Sequence, residues 1–147
     1  MNQCPECCAE LRHGETCEDH FHLMGAWELD HQLYDVHHLM VRCYHLQHPS
    51  LYSLEGLAGA KKLFVEFLEQ GVSPQEMRQR ISKEVDSGVR AYKIKGTPEL
   101  HGQYAKPIRW TMWASDVTHA GIENFYASVE KWSELILKSL REWGNLD

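Results

Sequence analysis

The chain has 147 residues, a formal net charge of −6, 43% hydrophobic residues and 24% charged ones. That length holds about one domain with a core that needs no disulfide staples. The acidic balance excludes a general nucleic-acid binder, which needs a basic face to displace counterions. With no signal-peptide pattern and no apolar run of the ~18 residues a span requires, the expectation is a cytoplasmic protein with no membrane partner.

Potential soft metal ligands crowd the first third. All five cysteines, and eight of the ten histidines, fall between Cys4 and His48. Disulfide scaffolds spread their cysteines along the chain, so these read as reduced thiols. Cys4-x2-Cys7 is followed after nine residues by Cys17-x2-His20. Each pair can wrap a tight turn along one edge of a tetrahedron, and Gly14 allows the chain to reverse between them. Zinc favours such closed thiolate and imidazole sets, so residues 1–20 read as a knuckle holding one structural zinc on Cys4, Cys7, Cys17 and His20. His22 and Cys8 compete for the fourth position. Cys8 also occupies the place after a Cys pair where a glycine would relax the turn.

Residues 21–47 contain only Gly25 as a helix breaker. Leu29, Leu33, Val36, Met40 and Cys43 recur at the spacing of one helical stripe, which predicts a single long helix ended by Pro49. Opposite the stripe, His31, Asp35, His38, Arg42 and His45 read as a solvated face. Asp30, His37, Tyr44 and His48 flank the stripe at the seam of the expected bundle, where ionisable groups need partners.

A second helix is predicted over 54–70, with Leu57, Phe64, Phe67 and Leu68 inward and Gly71 as its stop. Ser73, Pro74 and Glu76 cap a third, running to Gly88 with Met77, Ile81 and Val85 on its apolar edge. The basic residues Arg78, Arg80, Lys83, Arg90, Lys93 and Lys95 read as a solvated face. Residues 89–111 hold two glycines and two prolines without a sustained period and form a long connection. The last helix starts near Ser115 or Asp116, runs to Trp143, and buries Ile122, Phe125, Val129, Trp132, Ile136 and Leu140. These elements predict an all-α, antiparallel bundle of about four helices over 21–147, forming one compact unit with the knuckle.

Asp116, His119 and Glu123 share one face of the last helix. If the first and last helices pack together, His37, His48, His119 and Glu123, with Glu28 or Asp30 nearby, form a candidate second metal or polar site. Tyr44 would orient its imidazoles.

The CPxC opening, Cys17 followed by Phe21, and the run from His37 to Pro49 resemble the domain-of-unknown-function family 5946. His37, Leu39, Val41, Tyr44, Gln47, His48 and Pro49 match the pattern of that family, and Gln47-His48-Pro49 is the most specific part. A Gly-terminated second helix and a Trp-rich last helix starting at Asp116-Val117 are also similar. Arg42 stands where the family shows Asp, and Ala60 where a histidine is expected, which argues against a retained catalytic metal. The resemblance implies no established activity. The helix plan and histidine excess are also similar to DinB-like metal-binding four-helix bundles, by fold analogy alone.

The leading expectation is therefore a zinc-binding cytoplasmic protein that acts as a binding or accessory module toward a protein or small-molecule partner. The alternative is a metal-dependent hydrolase or thiol-transferase with a second divalent metal between helices.

Overall fold

The computed structural model describes residues 2–71 and 101–146, with 73, 76 and 79 between them. A two-stranded antiparallel hairpin opens the chain: β1 (Asn2–Gln3) pairs with β2 (Glu10–Leu11). Five α-helices follow among the described residues: α1 (Cys17–His31), α2 (His37–Gln47), α3 (Leu54–Glu69), α4 (Ala114–Ala120) and α5 (Phe125–Glu142). The molecule is mostly helical, as its sequence predicts.

The predicted 21–47 helix is two helices. Thr16 caps α1 through a capping box with Asp19, so the helix begins at Cys17. It ends where Gln32 turns left-handed at φ 54° and its N–H bonds the Glu28 carbonyl. The apolar spacing continues across this break and hides it. Leu29, assigned inward, is 70% exposed, while α1 buries Cys17, His20, Met24 and Glu28 instead. Polar residues thus line the stripe that a hydrophobicity pattern seeks.

Ser53 caps α3 by accepting the Gly56 N–H, and Gly71 follows its end at φ 70°. Leu57 and Phe64 are buried as expected, whereas Phe67 and Leu68 are only partly covered. Ala60 is fully buried in α3. The Ser73 hydroxyl accepts the Glu76 N–H, the expected cap of a third helix. The remainder of that helix, its basic residues, and the connection as far as residue 100 lie outside the described residues.

The predicted last helix is also divided. Asp116 caps α4 from within, its carboxylate accepting the Trp113 N–H. Gly121, at φ 92°, interrupts the chain, and a single 3-10 turn leads into α5. From Phe125 the expected stripe holds: Phe125, Val129, Trp132, Ile136 and Leu140 are buried. α1 packs against α4, and α2 lies between α3 and α5.

Gln47 ties this core together. Its Nε2 donates to the Met112 carbonyl at 2.7 Å, and its Oε1 accepts Trp132 Nε1 at 3.3 Å. Both groups are buried, and each is satisfied by the other's element. The segment 101–110 is pinned beside α3 by the Gly102 N–H to Tyr52 carbonyl bond of 2.7 Å. A side chain at Gly102 would meet the Pro49 carbonyl oxygen at 2.7 Å.

A left-handed conformation costs a non-glycine residue about 1–2 kcal/mol. Gln32→Gly should therefore raise stability by about 1 kcal/mol, and Gln32→Val should lower it; urea unfolding midpoints check both.

Candidate metal centre

The hairpin encloses a tight turn. The Cys4 N–H donates to the Ala9 carbonyl at 2.9 Å, and the Cys8 N–H to the Cys4 carbonyl at 3.0 Å. Cys8 takes φ 65° there, in the position where glycine would relax the turn. Its side chain is exposed, while those of Cys4 and Cys7 turn inward. Cys17 joins them as the first residue of α1, where a thiolate also faces the positive end of the helix dipole.

The fourth group arrives from the far end of α2. Cys4, Cys7, Cys17 and His48 are all buried, and one ligand atom from each lies within 4.8 Å of the other three. Cys7 Sγ is 3.5 Å from Cys17 Sγ, and Cys4 Sγ is 3.6 Å from His48 Nε2. A tetrahedral zinc with Zn–S of about 2.3 Å and Zn–N of about 2.0–2.1 Å has edges of about 3.8 Å between sulfurs and about 3.6 Å between sulfur and nitrogen. Both measured edges are close to these values.

His48 is oriented for ligation. Its Nδ1–H donates to the Tyr44 carbonyl at 2.7 Å, one helical turn back, which leaves Nε2 as the nitrogen facing the sulfurs. Tyr44 covers the imidazole at 4.4 Å between ring centroids and stacks on Phe21 at 4.2 Å.

His20 is held elsewhere. Its Nδ1 meets Thr118 Oγ1 at 2.8 Å, and its Nε2 lies 2.7 Å from a Glu15 carboxylate oxygen. With both ring nitrogens engaged between the α1 N-terminus and α4, it does not join the three sulfurs, and His48 stands in its place. Neither competitor enters: His22 is exposed beside Glu18 at 3.6 Å, and Cys8 points away from the cluster.

The candidate second site is dispersed. His48 belongs to the cysteine cluster, and His37 Nδ1 bonds the buried Glu28 carboxylate at 2.9 Å. His119 packs edge-on against His20 at 5.6 Å, while Glu123 is exposed and folds over Gly121. The separation of α1 from α2, and of α4 from α5, re-aims the faces that a pair of unbroken helices would align. Among the described residues, only the Cys3His group gathers three or more such ligands.

The model of DUF5946, a family of unknown function, matches residues 2–141. The chain belongs to this family. No curated protein and no solved structure matches it, so no structural neighbour supports the DinB-like analogy. In this DUF5946 chain the Gln47-His48-Pro49 run has a structural meaning: Gln47 bridges the core, His48 completes the cluster and Pro49 starts a 3-10 turn. Arg42, at the departing position, is buried with Nη1 donating to Tyr52 Oη at 2.8 Å.

Two further bonds fasten the hairpin turn to the helical body. Trp113 Nε1 donates to the Cys7 carbonyl at 2.8 Å, and the Ser50 N–H to the Glu6 carboxylate at 3.1 Å. At the adjoining start of α1, Thr118 receives His20 as above.

The thiols share their protons unequally. Hydrogen bonds from Cys17 and then Cys7 bring Cys4 well below the ordinary thiol range, against the opposing effect of burial. Cys7 is raised by Cys17, Cys4 and burial, and Cys17 is pushed up to about 12, chiefly by Cys4. Burial alone would lower His48, but its hydrogen bonds with Cys4, Cys7 and the Tyr44 carbonyl prevail and raise it to about 10. A divalent cation bound here would favour the unprotonated form of all four groups, its charge standing in for the protons they share.

Substitution separates the two histidines. His48→Ala should cut metal retention on a chelating resin at least tenfold, whereas His20→Ala and Cys8→Gly should retain the metal. Equal loss in His48→Ala and His20→Ala would contradict the assignment.

Proposed function

We propose that this DUF5946 protein is a cytoplasmic zinc protein whose single zinc is structural, and that it serves as a binding or accessory module for a protein or small-molecule partner. The observation that carries the reading is the saturated donor set: three thiols and one oriented imidazole, all buried, from three separate elements. A tetrahedral metal held by four protein groups has no open position for water or substrate, which is the mark of a structural centre. Zinc suits this donor set because soft thiolates and imidazole select it over harder divalent ions.

The residues present fit the ion. Cys4, Cys7, Cys17 and His48 would hold it, and it would supply the cross-link between hairpin and helices. The reduced thiols accord with a cytoplasmic setting. No helix among the described residues is long and apolar enough to cross a membrane.

Carefully purified protein should contain one tightly held zinc per chain. Chelation should loosen residues before about 21 while leaving most far-ultraviolet helical signal intact, because α2, α3 and α5 keep their own core. Two tightly held metals would favour the enzyme reading instead. Since the imidazole and thiol protons compete with the metal, occupancy at limiting free zinc should fall as pH drops from 7.5 to 5.5. Occupancy unchanged across that range would contradict the ligand set.

A further inference from the structure

A second feature lies away from the metal centre. A cavity of about 420 Å³ opens where the α1–α2 connection, the end of α3 and the first turns of α5 meet. Its apolar lining is Val36, Leu39, Phe67, Leu68 and Tyr126. Val36 and Leu39 are buried, while the other three are partly covered and packed against the core. The volume falls in the range of small-molecule sites, about 300–1,000 Å³.

The charge at this cavity is of one sign. Asp35, Glu130 and Glu134 line it, with no lysine or arginine among the described lining residues; Ser133, His38 and the Tyr126 hydroxyl are its other polar groups. No ion pair holds the three carboxylates among the described residues. Glu130 and Glu134 are four apart on α5, a spacing at which like charges repel along one helix face. Asp35 adds a third negative charge from the α1–α2 connection. The three carboxylates are exposed at the rim, where they would attract a cation, and Phe67 and Tyr126 add aromatic rings to the lining, a side-chain type that attracts cations.

We propose that this cavity binds an organic ammonium ion carrying an aromatic body. The apolar walls take the body, and the ammonium group lies toward Glu130, Glu134 and Asp35. An anionic ligand of the same shape meets three repelling charges, and a neutral one forgoes the charge attraction. The site is independent of the Cys3His cluster, since none of its lining residues is a ligand there.

The test uses the zinc-loaded full chain and three probes of matched shape: phenethylamine, 2-phenylethanol and 3-phenylpropionate. Amide resonances followed by NMR should shift at Val36, Leu39, Tyr126 and Glu130 on adding the amine. The alcohol should bind about tenfold more weakly, a difference of about 1.4 kcal/mol, and the acid should not bind. The exposed pair Glu130→Gln with Glu134→Gln should weaken the amine about tenfold and leave the alcohol unchanged. The proposal is overturned if the amine leaves those amides unshifted, if the alcohol or acid binds as well, or if the double variant holds the amine undiminished.

Discussion

Forty-four residues separate Cys4 from His48, and the contact between them joins the opening hairpin to the helical body. The hairpin has only two residues in each strand and cannot hold itself against chain entropy. What fixes it is the convergence of three sulfurs on an imidazole, which is anchored in turn by the Tyr44 carbonyl. Structural zinc contributes about 10–16 kcal/mol of apparent binding free energy in small finger peptides, far more than any single hydrogen bond to the knuckle. The bonds from Trp113 and Ser50 fix the orientation of the same turn against the helical body.

The same arrangement explains why polar residues occupy the buried side of α1. Cys17 points to the cluster, His20 reaches Thr118 and Glu15, and Glu28 receives His37. These hydrogen bonds connect α1 to α4 and α2 beside its apolar contacts, in which Met24 is buried, Phe21 stacks on Tyr44 and Trp27 meets Phe125 edge-on. The weight of the hydrophobic core lies in α2, α3 and α5, around Trp132, Phe64 and Leu46.

Much of this was legible in the sequence. The three cysteines announce themselves by spacing, the α3 and α5 stripes by period, and Gly71 by its position after a helix. Two kinds of information were not. A hydrophobic period that continues through Gln32, and a single helix read through Gly121, conceal the breaks at those two residues, because spacing registers residue number and not backbone direction. His48 was read as part of a second site and not with the cysteines, because a group from a distant element leaves no local pair spacing, whereas His20 sits at the tempting Cys-x2-His interval. Its one local signal is the Tyr44-x3-His48 separation, which lets a free carbonyl near the helix end orient the ring. The Gln47-His48-Pro49 run carried the family resemblance, and its geometry now gives those residues physical roles.

The central claim is that one metal joins Cys4, Cys7 and Cys17 to His48. Cadmium-113 substitution followed by NMR tests it most directly, since scalar coupling passes only through metal–ligand bonds. Coupling is predicted to the β-protons of Cys4, Cys7 and Cys17 and to the ring protons of His48. Coupling to the His20 ring or the Cys8 β-protons, with none to His48, would contradict the account.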